Sequence, residues 1–236
     1  MGDLEGRVAL VTGGSRGLGL EVVRGLAARG ATVVAVARDG ARLEQVVGGL
    51  VAEGLDVVGR AVDVSDTAAV RRLAEGPLGA VDVLVLAAGV MSERTAKTVR
   101  TTDKEWRRVL GTNLDGAFAA MAALVPGMAA RRWGRVVALS ACLGRMSGPG
   151  TSGGLAPYRV SKAALNALVK NLAAETGDGR RGVLVDATCP GHCRTDMGGP
   201  DAPRSAAEGA DTALWLATRD EGPTGLLWED RAVVPW

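Results

Sequence analysis

Val8-Ala9-Leu10-Val11-Thr12-Gly13-Gly14-Ser15-Arg16-Gly17-Leu18-Gly19 is the stretch on which the fold of this chain turns. An apolar run ends in a cluster of glycines. A helical pattern follows, with Leu18, Val22 and Leu26 on one face and Glu21, Arg24 and Arg29 between them. Strand, glycine turn and helix is the context in which glycines cradle a phosphate. Gly13 allows a tight turn, Gly17 lets the backbone approach a pyrophosphate, and Gly19 packs the helix close to the strand. The helix N-terminus behind Ser15, Arg16 and Leu18 attracts the anion. The spacing is Gly-x-x-x-Gly-x-Gly rather than the commoner Gly-x-Gly-x-x-Gly, and a glycine-rich turn that binds nothing is the plain alternative.

Working outward, the same alternation continues to the end of the chain. Strands are expected near 8–11, 32–36, 56–62, 82–86, 135–140, 183–188 and 226–228, and helices over 17–29, 40–53, 66–75, 103–131, 157–176 and 205–218. Val81-Asp82-Val83-Leu84-Val85-Leu86 is apolar on both faces, as buried parallel strands are. Alternation of this kind implies right-handed crossovers and an α/β fold, a single doubly wound parallel sheet of about seven strands with helices on both faces. Ligands of such sheets sit at the carboxyl ends of the strands, near the switch in strand order. No linker or composition break appears, so residues 1–236 read as one domain. Segments 145–156 and 195–205 carry the glycines and prolines of mobile loops.

Composition narrows the classes. With 28 basic and 26 acidic residues the net charge is +2, which leaves no electrostatic footprint for nucleic acid. No apolar run approaches the length of a membrane span, and the start of the chain lacks the regions of a secretion signal. Three cysteines without a Cys-x-x-Cys spacing fit a reducing, cytoplasmic setting with no disulfide. Cys142 and Cys189 leave the ends of strands expected to be neighbours, and Cys193 stands beside the single histidine, His192. Zinc takes such ligands, but the spacing matches no usual pair, so no metal is expected and the thiols read as packing residues.

The chain has one tyrosine, in Pro157-Tyr158-Arg159-Val160-Ser161-Lys162, four residues before one of its four lysines. On a helix that spacing stacks Tyr158 and Lys162 on one face. A phenol titrates near pH 10, and a neighbouring ammonium lowers that value, which makes a general acid or base of the tyrosine.

The glycine loop and the Tyr158–Lys162 pair together resemble the short-chain dehydrogenase/reductase family, along a likeness running from Arg7 to Trp236. Within it, 158–168 and the ending Pro223-Thr224-Gly225 … Val234-Pro235-Trp236 are most similar to the carbonyl-reductase-like members. The resemblance implies a Rossmann-type NAD(P)-binding domain whose C-terminal loops build a pocket for a small carbonyl or alcohol substrate. It implies hydride transfer with Tyr158 as general acid/base, Lys162 lowering the tyrosine pKa and binding the ribose, and Asn113 holding a water by its backbone. A satisfied polar contact is the other reason for an asparagine within a helix. Asp63, with Val64, matches the adenine contact, though a strand-end turn explains an aspartate there equally well. Ala88 and Gly89 match the end of the fourth strand, and Pro190, Gly191 and Thr195 match the turn that holds the carboxamide. After the second strand, Ala37 takes the place of the acidic residue that binds the ribose of NAD, with Arg38 next. Arg38 and Arg16 suit the extra phosphate of NADP, which is therefore preferred, while Asp39 keeps NAD as the less favoured choice. Helices 103–131 and 157–176 commonly pair between subunits in the family, so a homodimer or homotetramer is open beside a monomer.

The chain departs from the family at the end of the fifth strand, where two serines are usual. Ser140 matches the first and Ala141 stands at the second, which polarises the substrate carbonyl. Ser140 remains the best hydroxyl, although adjacent strand residues face opposite ways, and Ser147, Thr151 or Ser152 of the long following loop are substitutes. The missing serine keeps two alternatives open: a non-redox cyclisation or dehydration, and a cofactor-binding scaffold without turnover.

Overall fold

The computed structural model describes residues 3–75, 80–93 and 97–236. Eight strands form one sheet in the order β3-β2-β1-β4-β5-β6-β7-β8. They are β1 (Val8–Thr12), β2 (Thr32–Ala37), β3 (Val57–Ala61), β4 (Val83–Leu86), β5 (Gly134–Leu139), β6 (Val183–Thr188), β7 (Leu227–Glu229) and β8 (Ala232–Val234). All neighbours are parallel except β7 and β8. The helices are α1 (Gly17–Ala27), α2 (Gly40–Ala52), α3 (Thr67–Arg72), α4 (Asp103–Leu110), α5 (Gly116–Arg131), α6 (Ala156–Glu175) and α7 (Ala206–Thr218).

The strands read from sequence are all present, and β8 is the addition. It closes a hairpin in which Glu229 pairs with Ala232 across Asp230 and Arg231, both at positive φ (49° and 59°). Tight hairpins need that conformation and usually advertise it with Asn-Gly or Asp-Gly, so Asp-Arg gave no signal.

Successive residues serve opposite layers. Leu10, Val34, Leu84 and Val136 face a core shared with Met121 and Leu165, while Val11, Val33, Val85 and Val137 face one shared with Val22, Leu26 and Leu216. Each fully buried side chain of this size contributes about 1.5–3 kcal/mol. The sheet is thus apolar on both sides, the reason its strands show continuous rather than alternating hydrophobicity. Strand β1 lies between β2 and β4, so the chain order reverses there. The carboxyl ends of β1 and β4 open onto loops that leave in different directions, at the switch point.

One departure from regular structure lies beside the site, and one buried ion pair anchors the far edge of the sheet. Helices α4 and α5 are joined through one π-helical turn, Gly111–Asp115, instead of a loop. The resulting helix, Asp103–Arg131, is long and apolar enough to cross a membrane by length and composition, but half of its apolar window is buried inside this fold. At the far edge, Asp186 of β6 receives hydrogen bonds from Trp228 Nε1 (3.0 Å), Leu226 N (3.2 Å) and Arg219 (2.5 Å). This buried ion pair ties β7 and the end of α7 to the sheet.

Candidate active site

The loop after β1 is shaped for close backbone approach. A Cβ on Gly19 would lie 2.2 Å from the Gly13 carbonyl oxygen, so only glycine lets α1 start this near the strand. Gly13 has φ +72°, and a Cβ there would meet the Ala88 backbone at 2.9 Å. No side chain caps the N-terminus of α1, where Arg16 is the N-cap residue. Its first N–H groups remain open to an anion. The groove above, about 230 Å³, is lined by Gly13, Ser15, Arg16, Gly17, Leu18 and Gly19, by Arg38, Asp63 and Val64, and by Ala88, Gly89 and Thr195. The residues expected to hold a nucleotide are thereby gathered in one groove, apart from Tyr158, Lys162, Pro190 and Gly191, which line the adjoining cavity.

Charges in the groove are paired. Arg16 bonds Asp196 (2.6 Å), Arg42 lies 3.9 Å from the same carboxylate, and Arg38 lies 3.7 Å from Asp63. Burial pushes the Asp63 carboxyl up, but hydrogen bonds from Ser65 N and Oγ and the Arg38 charge outweigh it and hold it below the usual range. Asp63 therefore makes the strand-end turn and faces the groove as well. Asp39 spends its side chain on the N-cap of α2, accepting from Arg42 N at 3.1 Å.

Beside the groove lies a cavity of about 770 Å³. Helix α6 brings Tyr158 and Lys162 to its wall one turn apart, with Lys162 Nζ 5.8 Å from the tyrosine ring centroid. Lys162 Nζ donates to the Leu139 carbonyl at 2.6 Å. Burial dominates both groups: it pushes Tyr158 up to about 12 and Lys162 down to about 8. For the tyrosine this is the opposite direction from the one expected of a lysine neighbour. The difference follows from dry surroundings, which penalise phenolate and ammonium alike.

Asn113 sits in the π turn, buried. Its Oδ1 accepts from Val90 N (2.8 Å), and its Nδ2 donates to Val90 O (3.0 Å) and Ser161 Oγ (3.0 Å). Ser161 in turn donates to the Tyr158 carbonyl at 2.7 Å. The side chain thus makes the satisfied polar contact, bracing the β4 loop against the helix that carries Tyr158. A Cβ on Gly89 would lie 3.5 Å from Asn113 Oδ1 and 3.7 Å from Lys162 Nζ, so these three residues meet.

Of the hydroxyls expected opposite Tyr158, Ser140 lines the cavity but spends its hydroxyl on another bond, and the loop hydroxyls lie outside it. Ser140 Oγ is engaged with Asn166 Oδ1, whose Nδ2 donates to Gly144 O (3.3 Å). Thr151 Oγ1 donates to Gly148 O, Ser147 Oγ accepts from Arg145, and neither these nor Ser152 lines the cavity. Ala141 does.

Several features were not legible in the sequence. Cys142 and Cys189 form a disulfide, with Cα atoms 5.6 Å apart, which corrects the expectation of three packing thiols. A separation of 47 residues conceals that β5 and β6 end side by side. Cys193 remains a buried free thiol that donates to Pro190 O, and burial pushes it up. Glu229 of β7 lies against the sulfur pair, which no spacing rule would have indicated because β7 joins through the sheet. Arg159, beside Tyr158, laces the 145–156 loop by donating to Gly154 O and Pro149 O (2.9 Å each) and to Gly150 O (3.3 Å). The 195–205 segment is held likewise, by Arg194 on Ala202 O and Pro203 O and by His192 Nε2 against Gly198 O. Both loops expected to be mobile are therefore laced by side chains.

The glycine cradle at the start of α1 and the cavity of the buried Tyr158–Lys162 pair thus adjoin. The chain belongs to the short chain dehydrogenase family, whose model matches residues 7–205. It is 33% identical over 195 residues to the 3-oxoacyl-acyl-carrier-protein reductase FabG of Escherichia coli, covering 83% of this chain and 77% of that one. A 3-oxoacyl-acyl-carrier-protein reductase from Brucella melitensis, solved with bound NAD, superposes with a TM-score of 0.84 at 29% identity, over 96% of this chain and 90% of that one. A Beutenbergia cavernae protein assigned as an NAD(P)-dependent gluconate 5-dehydrogenase, solved with NADP at low occupancy, does so with 0.80 at 28% identity, over 91% and 90%.

Proposed function

We propose that this protein is an NADPH-dependent reductase of ketones or aldehydes, working also as the alcohol dehydrogenase in reverse. One observation carries the reading: Leu18, Ala87, Gly89, Thr195 and Met197 line both the nucleotide groove and the cavity of Tyr158 and Lys162. A dinucleotide laid along the glycine loop therefore ends where the tyrosine hydroxyl is. The glycine cradle and the uncapped start of α1 fit its pyrophosphate, and Arg16 and Arg38 fit a 2′-phosphate. Asp39, occupied as a helix cap, is poorly available to the ribose of NAD.

When bound, the reduced nicotinamide supplies hydride. The residues of the chain do the rest. Tyr158 donates its proton to the carbonyl oxygen, for which a phenol kept neutral by burial is in the right state. Lys162 stands over the ring as the positive charge that stabilises the tyrosinate left behind. Asn113 fixes the helix that presents both, through Ser161. Ala141 leaves the carbonyl with one strong donor. Loss of one such donor typically costs about 10²–10³ in rate, which slows such an enzyme without abolishing it.

That same alanine, together with the engagement of Ser140, favours a second reading in which the fold and cofactor are kept without redox turnover. NADPH oxidation followed by absorbance against a panel of ketones, aldehydes and quinones separates the two. Tight NADPH binding with no oxidation across the panel would overturn the reductase. A cytoplasmic location belongs to the same proposal, as does pairing of subunits through α5 and α6, where Phe118, Val125 and Leu172 border an apolar groove.

A further inference from the structure

Among the described residues, the cavity of Tyr158 has one carboxylate in its wall, Glu229. Its nearest polar neighbours are sulfurs: Oε1 lies 3.3 Å from Cys142 Sγ and 3.8 Å from Cys189 Sγ. Those sulfurs are bonded to each other, so neither carries a hydrogen to give. No other N–H or O–H of the described residues bonds this half-buried carboxylate. Of the other charged or titratable groups of the wall, Tyr158 is the one that faces the carbonyl, and the rest are engaged. Lys162 Nζ donates to Leu139 O, His192 Nε2 is bonded to Gly198 O, and Cys193 donates to Pro190 O. Around them the wall is mostly apolar, with Leu18, Met91, Leu139, Leu143, Leu155 and Met197.

A carboxylate partly withdrawn from water and left without a donor is costly, and an incoming ligand that supplies N–H groups relieves that cost. Resting on the reductase reading, we propose that Glu229 is a specificity-determining residue selecting carbonyl substrates with an apolar body and an ammonium group, and that the Cys142–Cys189 pair sets its availability. An ammonium brings three donors and the complementary charge, the stronger class of hydrogen bond. Reduction by an added dithiol breaks the one S–S bond and forms two S–H bonds. The dithiol gives up two electrons and two protons and closes to its cyclic disulfide. Cys142 Sγ, 3.3 Å from Glu229 Oε1, then carries a hydrogen, a donor internal to the wall that competes with the ammonium.

The test uses the whole protein with NADP present and calorimetric binding of 3-phenylpropylammonium, 3-phenylpropanol and 3-phenylpropionate, so it needs no turnover. Thiol titration in denaturant defines the starting states, with one thiol expected before treatment with dithiothreitol and three after. The oxidised protein should bind the ammonium at least tenfold more tightly than the alcohol, with the carboxylate weakest. Glu229→Gln should remove the ammonium preference, and Glu229→Lys should transfer it to the carboxylate, a gain that misfolding cannot imitate. Reduction should weaken ammonium binding about threefold or more in the unmodified protein and leave Glu229→Gln unchanged. Equal binding of ammonium and alcohol, or a preference that survives Glu229→Gln, would overturn the assignment of Glu229. Three thiols before reduction, or binding indifferent to reduction, would overturn the control by the cysteine pair. An enzyme that reduces neutral ketones but shows no ammonium preference sinks this inference alone, while ammonium binding without any carbonyl reduction sinks the reductase reading alone.

Discussion

Ala141 and Arg38 are the residues at which a single side chain carries most of the functional argument. Ala141 lines the cavity in an extended conformation at the end of β5, while the Ser140 hydroxyl is turned to Asn166. Ala141→Ser should therefore add a second donor and raise the rate of ketone reduction, by up to ~10²-fold, while Tyr158→Phe should abolish it. Ser140→Ala should act mainly on stability, since it leaves Asn166 without its donor. Steady-state rates of the three variants with one ketone, alongside thermal melts, check this. A large rate loss in Ser140→Ala with unchanged melting would mean that Ser140 polarises the carbonyl after all. For the cofactor, Arg38 is mostly exposed and only loosely paired with Asp63 at 3.7 Å, so its charge is free to meet a phosphate. NADPH should bind at least tenfold more tightly than NADH, a difference of about 1.4 kcal/mol, and Arg38→Asp should reverse the order in fluorescence titrations. Equal affinities in the unmodified protein would remove the phosphate from the argument.

At the scale of elements, what was legible in the sequence was whatever depends on neighbours along the chain. The strand–glycine–helix unit, the i,i+4 pair on α6 and the seven strands through β7 are local patterns, and each lies where local pattern placed it. What escaped depends on neighbours across the sheet: the Cys142–Cys189 bond, Glu229 beside it, and the clamp of Asp186 by Arg219 and Trp228. A third class lies between. The π turn at Gly111–Asp115 reads as plain helix, because its extra residue alters hydrogen bonding and not hydrophobic period. The 145–156 loop reads as mobile because nothing in its glycines and prolines shows that Arg159 ties it from α6. Arg159→Ala should free that loop without touching Tyr158. We expect KM for ketones to rise several-fold with NADPH affinity unchanged, and protease cleavage to appear within 145–156. An intact loop under limited proteolysis would show that other contacts hold it.

For the molecule as a whole, burying Lys162 has a cost that pH reveals. The amine titrates near 10.5 when exposed and near 8 when folded, so between those values the unfolded chain binds more protons and stability rises with pH. Below pH 8 the full penalty applies, about 3 kcal/mol at 1.36 kcal/mol per pH unit, and by pH 10 about 1 kcal/mol remains. Tyr158 works in the other sense. Its folded value near 12 lies above the exposed 10, so the stability it contributes is complete below pH 10 and is lost as pH rises through 10 to 12. A comparison of the unmodified protein with Lys162→Met cancels the tyrosine, which both retain. The methionine fills the same space without a charge and gives up one hydrogen bond to Leu139 O, worth about 1 kcal/mol. Lys162→Met should therefore be more stable by roughly 2 kcal/mol at pH 7 and about equal to the unmodified protein at pH 10, while losing reductase activity at both. Urea unfolding at the two pH values measures the difference. If the gap does not shrink with rising pH, the ammonium is not buried as the structure has it, and its place over the Tyr158 ring fails with it.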